Sequence, residues 1–142
     1  WKAALEAEGR LVFPALPFVH VGARVRQRGD GPSSWTTQVI VARPRTQTFS
    51  SWGTLPGGYV LPTGLSELER EIPIVGGKPL WLLRQLVEHY SRAGDVVCDP
   101  CAGAATTALA AVLAHRRFVG AEQKRAHFNL GRARLAQAGA AA

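Results

Sequence analysis

Two carboxylates in this chain, Asp99 and Glu122, stand where chemistry is most easily assembled. Each ends a short apolar run: Val96-Val97-Cys98 leads to Asp99, and Phe118-Val119-Gly120-Ala121 leads to Glu122. Between them lies Cys101-Ala102-Gly103-Ala104-Ala105, all small side chains, so that something can approach the backbone closely. Thr106 and Thr107 then open a helical pattern through Ala108, Leu109, Val112 and Leu113. A carboxylate at the end of each strand, with a helix N-terminus between them, makes a site for a ligand with ribose hydroxyls and a charged tail.

The elements that must position these groups read as strand, sharp turn, helix, strand. Val96 to Cys98 is an apolar run of the kind buried on both faces of a parallel sheet. Pro100 stops it, because proline offers no N–H to the ladder. Upstream, Lys78 to Arg92 is expected to be helical, with Pro79 in its first turn, Leu80, Leu83, Val87 and Tyr90 as its apolar stripe, and Gly94 as cap. Downstream, Lys124 to Ala138 forms a last amphipathic helix carrying Phe128, Leu130, Ala133 and Leu135. Gly139 and the closing alanines fray.

Residues 99–107 read D-P-C-A-G-A-A-T-T. This resembles the cofactor loop D-P-F-x-G-S-G-T-T of the S-adenosylmethionine-dependent DNA amino-methyltransferases, which modify adenine N6 or cytosine N4. Glu122 in F-V-G-A-E matches the acidic residue ending that family's second strand, and Lys78-Pro79-Leu80-Trp81-Leu82 matches its K-P-x-x-L helix start. The resemblance covers residues 72–137, in the order of the circularly permuted members, where the cofactor half comes last; residues 1–71 resemble the family only loosely. It implies a Rossmann-like three-layer α/β/α sandwich with a mostly parallel sheet. Residues 1–142 would be a single, partial domain, with 72–138 its cofactor-binding half and 45–71 a candidate target-recognition loop. It also implies S-adenosylmethionine as cofactor and double-stranded DNA as partner. The cofactor contacts carried over are Lys78, Asp99, Cys101, Ala102, Gly103, Thr106, Glu122 and Gln123, with Glu122 on the ribose hydroxyls and Lys78 toward the cofactor carboxylate. Three departures stand out. Ala104 and Ala105 replace the loop's Ser and Gly, Ala105 adding a Cβ where the loop is expected to approach the ligand. Ile74-Val75-Gly76 replaces the usual H-P-T, removing a hydroxyl that would bind the carboxylate.

In the first half, Trp1 to Glu8 reads as helix with Gly9 as C-cap. Leu11-Val12-Phe13 and Phe18-Val19-His20-Val21 flank P-A-L-P as strand, kink, strand. Arg24, Arg26 and Arg28 alternate, so an extended backbone puts three guanidiniums on one side. Two readings fit: a contact to DNA phosphates, or a solvated edge strand guarded against aggregation. Thr36 to Ala42 is the best strand pattern of this half, ended by Pro44. Residues 45–71 form a long loop with one possible hairpin; Phe49, Trp52 and Tyr59 either contact DNA or pin the loop to the core.

Composition sets the outer bounds. The 142 residues fit one domain, and 46% hydrophobic with 19% charged residues is ordinarily globular. A net charge of +7 favours a polyanionic partner, although an arginine-rich bacterial or phage composition produces the same balance. No apolar run approaches the ~20 residues of a membrane span, and no signal peptide is evident, so a cytoplasmic protein is expected. The chain starts at Trp1 and has no methionine, as a piece of a longer or processed product would. Cys98 and Cys101 form a C-x-x-C with no second ligand pair, so reduced structural cysteines are expected rather than zinc; the four histidines suggest no constellation.

The family's catalytic motif, [D/N/S]-P-P-[Y/F/W], is nowhere in these residues; the one Asp-Pro is Asp99-Pro100, already in the cofactor loop. That motif holds the exocyclic amine and stacks on the flipped base. No catalytic residue is therefore expected here. The strand that precedes the motif lies beside Val96–Cys98 in the family's sheet, and a central strand cannot be omitted without stranding backbone groups. An upstream segment of the same polypeptide, or a partner chain, must supply it. The alternative function is an inactive, methyltransferase-like DNA-binding or regulatory subunit. A nicotinamide-binding domain would want G-x-G-x-x-G, which A-G-A-A-T-T does not supply.

Overall fold

A computed structural model describes residues 1–23, 25–26, 31–45 and 53–139. They fall into two units, Trp1–Pro62 and Thr63–Ala142.

The first unit begins with helix α1, Lys2–Ala7, and Gly9 turns the chain out of it at φ 70°. Strands β1 (Arg10–Val12), β2 (Leu16–Val19), β3 (Val25–Arg26), β4 (Ser33–Ser34), β5 (Thr36–Val39), β6 (Ala42–Pro44) and β7 (Tyr59–Val60) follow. The strand expected over Thr36 to Ala42 is broken at Ile40-Val41, because its partner is broken too. β5 pairs antiparallel with β2 and β6 with β1, and the Phe13 N–H donates to the Val41 carbonyl at 3.0 Å across the kink. Pro44 is the last residue of β6, opposite Arg10. Parallel β7 reaches only Phe18 and Val19 of β2, so the missing N–H of Pro17 costs that side no ladder bond.

The described part of residues 45–71 is less of a loop than expected. It contains β7, and Tyr59 is buried opposite Phe18, so this aromatic belongs to the core. Phe49 and Trp52 lie outside the described residues. The second unit opens with another unexpected element, helix α2, Glu67–Arg70. The Ser66 hydroxyl caps it by accepting from the Glu69 N–H at 3.3 Å while donating to the Glu69 carboxylate at 3.0 Å. Ser66-Glu67-Leu68-Glu69 is a capping-box sequence.

Helix α3 spans Leu80–Tyr90, β8 Val96–Asp99, α4 Thr106–Leu113, β9 Arg117–Gly120 and α5 Arg125–Gln137. β8 and β9 pair in parallel, Val96 opposite Arg117 through Asp99 opposite Gly120, with α4 as the crossover. The core gathers Leu80 and Val87 of α3 with Leu109 and Ala110 of α4 and Ala114, and Leu83, Val97 and Leu135 pack against it. Alanines on several sides of α4 let the helix be buried almost all round. Arg116 ties two helix C-termini, donating to the Ser91 carbonyl (2.7 Å), the Ser91 hydroxyl (3.0 Å) and the Ala114 carbonyl.

Two details differ from expectation. Pro79 is the N-cap of α3 rather than a first-turn residue, so Lys78 precedes the helix. β8 is not buried on both faces: Val97 meets the core, but Val96 is 50% exposed and Cys98 is exposed, beside the 54% exposed Val119 of β9. Among the described residues β9 is the only strand paired with β8, so the other backbone edge and the outward face stay open. The α/β class and the parallel strand–helix–strand unit are as expected. The described strands lie in four small sheets, and parallel pairing is confined to β8–β9 and β2–β7. No helix among the described residues is long and apolar enough to cross a membrane.

Candidate functional site

β8 ends in Asp99, and Pro100 forces the chain out of the sheet. The Asp99 carboxylate then organises the turn. One oxygen accepts the Cys101 N–H at 2.9 Å and the other the Thr107 hydroxyl at 2.7 Å, tying the strand end to the loop and to the first turn of α4. The Ala102 N–H donates to the Ala121 carbonyl, and the Ala105 N–H returns to the Ala102 carbonyl, both at 2.8 Å. Gly103 sits at φ 56°, and a Cβ there would stand 2.9 Å from the Ile74 side chain. The left-handed φ favours glycine at this point, and the atom a Cβ would meet is the movable end of the Ile74 side chain.

Glu122 follows β9 and closes the other side. Its Oε2 accepts the Gly103 N–H and its Oε1 the Lys124 N–H, each at 2.7 Å, with His127 Nδ1 at 3.9 Å. These contacts hold its carboxyl below the usual 4.5, the Lys124 N–H most strongly, with desolvation opposing and the Gly103 N–H and the His127 and Lys124 charges adding to the effect. Each carboxylate oxygen keeps acceptor capacity beyond the bond it already makes.

Asp99, the loop, Glu122 and the Ile74–Lys78 segment enclose a cavity of about 460 Å³, within the range of small-ligand sites. Lys78, Asp99, Cys101, Ala102, Gly103, Thr106 and Glu122 all line it; Gln123 does not. The Lys78 ammonium donates to the Gly76 carbonyl at 3.0 Å, on the cavity wall. α4 enters this space with no side-chain cap, so the positive end of its dipole is available to a ligand.

Ala105 does not line the cavity, contrary to expectation. It is in the left-handed region (φ 59°, ψ 31°) and is absent from the cavity wall; a Cβ built on Gly131 of α5 would lie 2.8 Å from the Ala105 Cβ. The methyl therefore points at α5, where the lack of a side chain at Gly131 makes room for it.

Of the alternating arginines, Arg24 and Arg28 lie outside the described residues, and Arg26 is described only by its backbone pairing with Ser33. Three residues not singled out from the sequence join the site. Lys124 and His127 line the cavity because α5 starts directly after Glu122. Arg134, buried in α5, donates to the Ala104 carbonyl behind the loop. Its place three residues after Gly131, on the same face of the helix, was the available signal.

Residues 72–132 match the N6/N4 methyltransferase family model described as DNA methylase. The chain is 30% identical over 109 residues to YubD of Escherichia coli (strain K12), covering 64% of this chain and 48% of that protein. It is 38% identical over 58 residues to the DNA adenine methyltransferase YhdJ of the same strain, covering 41% and 20%. This chain thus spans about half of one relative and a fifth of the other. The M1.HpyAVI–SAM complex has the same fold, with a TM-score of 0.67 at 20% identity over 94% of this chain and 66% of that one.

Proposed function

We infer that this chain, whose residues 72–132 match the DNA methylase family model, is the cofactor-binding part of a cytoplasmic S-adenosylmethionine-dependent enzyme. That enzyme methylates an exocyclic amino group of a base in double-stranded DNA, adenine N6 or cytosine N4. The carrying observation is the pair of bonds by which Glu122 holds Gly103 and Lys124 at the mouth of the cavity. They keep the carboxylate ionised and aligned, with acceptor capacity left for two ribose hydroxyls. The residues fit the cofactor: glycine at a left-handed turn on the cavity wall, an uncapped helix end and Lys78 for a carboxylate, and Asp99 for an ammonium. When bound, S-adenosylmethionine supplies an electrophilic methyl group on sulfur. This chain's residues orient the cofactor; the amine of the target base needs an acceptor pair that these residues do not contain.

The open edge and outward face of β8 support a further segment, upstream in the same polypeptide, that brings the [D/N/S]-P-P-[Y/F/W] motif beside this site. Residues 45–71 are the candidates for reading the target sequence, and Arg24, Arg26 and Arg28 for its phosphates. The competing reading, an inactive DNA-binding or regulatory subunit, keeps the support of Ala104 and Gly76, which lack a hydroxyl on the cavity wall, but loses that of Ala105, whose methyl faces α5. Calorimetry on the complete protein separates the two. The cofactor should bind, and Glu122→Ala should weaken it at least tenfold, since a charge-assisted bond contributes roughly 1.5–3 kcal/mol. No binding by the unaltered protein would favour the inactive subunit; an unchanged affinity in the variant would remove Glu122 from the site.

A further inference from the structure

We propose that Arg134 is a positioning residue for the cofactor loop, holding from behind the turn that presents the Gly103 N–H to Glu122. The inference rests on reading the cavity as the cofactor site. Arg134 does not line that cavity; it acts through the backbone that does. One of its terminal nitrogens donates to the Ala104 carbonyl at 2.5 Å and to the Thr106 hydroxyl at 3.1 Å, and the other to the Glu71 carboxylate at 2.7 Å.

The Ala104 carbonyl and the Ala105 N–H belong to one peptide group. That group is gripped at both ends, by Arg134 on the oxygen and by the Ala102 carbonyl on the nitrogen. Its plane is therefore fixed just before the left-handed Ala105, a backbone conformation that a non-glycine residue holds only when its surroundings impose it. Immediately upstream, Gly103 makes the bond to Glu122. Release of the Ala104 carbonyl would let the turn relax and carry the Gly103 N–H away from the carboxylate.

Arginine is a costly residue for mere packing here. Its side chain is 7% exposed, and Nε has no partner, so a buried polar group goes unsatisfied. A leucine or methionine would fill the same helix face without that cost. Only a planar fork reaches a carbonyl, a hydroxyl and a carboxylate at once. Sites depend on such supporting contacts, because a small misplacement of a binding group loses much of its effect.

The test is backbone hydrogen exchange and cofactor titration on the complete protein carrying Arg134→Met, with Arg134→Lys as the milder variant should the first fail to fold. Arg116→Met, which releases helix ends away from the cavity, is the control at comparable melting temperature. In Arg134→Met, the amides of Ala102, Gly103 and Ala105 should exchange at least tenfold faster while α3 changes less than twofold, and cofactor affinity should fall about tenfold. Arg134→Lys should show at least a threefold local acceleration, and Arg116→Met no loop-specific change. Acceleration spread evenly over the loop and α3, or a loop and affinity like those of the unaltered protein, would overturn the proposal. If the unaltered protein binds no cofactor while the loop-specific acceleration appears, Arg134 keeps its role and the cofactor reading fails.

Discussion

The two units bury themselves in different ways. Among the described residues, the first buries two large side chains, Phe18 and Tyr59, and leaves Trp35, Ile40 and Val60 substantially exposed on or beside its strands. Its strands run to four residues at most among the described residues, and α1 buries none of its residues. The second unit wraps small and branched residues around α4, with Leu80, Leu82, Leu109, Ala110 and Ala111 almost entirely inaccessible. A recognition site needs groups held to a fraction of an ångström, and a close-packed helix provides that where short twisted ribbons do not. The cavity accordingly lies at the N-terminus of the best-buried helix.

The sharpest way to break this contrast is a matched pair of truncations. Leu109→Ala should cost about 2–5 kcal/mol in denaturant unfolding, because a fully buried side chain leaves a cavity in the core. Val60→Ala, 61% exposed, should stay within about 0.5 kcal/mol. A loss at Val60 as large as that at Leu109 would mean that the strand faces of the first unit are covered in solution.

A smaller effect is expected where the loop meets α5. Gly131→Ala would bring a methyl within 2.8 Å of the Ala105 Cβ and 3.3 Å of the Ala104 carbonyl carbon, so a loss of about 1–3 kcal/mol is expected from overpacking. Ala105→Gly relieves the left-handed backbone, by about 1 kcal/mol, against which stands the entropy glycine returns to the unfolded chain. Thermal melts of both single variants and the double variant measure the coupling; purely additive losses would show that the two residues do not share this space.

The smallest effect is electrostatic. The folded-state carboxyl of Glu122 titrates below the ordinary 4.5, so its contribution to stability is complete above that pH and is lost as pH falls through the lowered value. The melting temperature of the unaltered protein, referred to Glu122→Gln, should therefore decline only on the acidic side of 4.5. Parallel pH profiles for the two proteins would remove the bonds from Gly103 and Lys124 as the cause.

Much of the site was legible because its grammar is local. Pro100 after an apolar run, five small residues and a threonine pair define a turn and a helix start without any distant contact, and β8, α4 and β9 fall where that pattern puts them. Ser66 and Glu69 were equally legible as a capping box, but the Gly- and Pro-rich surroundings of 45–71 concealed them. The division of Thr36–Ala42 into β5 and β6 was not, since the break is dictated by the kink of the strand across the ladder.

What the chain determines by itself is the strand–turn–helix–strand unit, with its carboxylates at the strand ends and its glycine at the close approach. These arise from period, proline and side-chain size, which act between neighbours in sequence. Tertiary structure alone decided which way the methyl of Ala105 points and that Arg134 reaches the Ala104 carbonyl. Those contacts join residues brought together only when α5 folds back toward the loop after β9, and no spacing rule records where a returning helix lands.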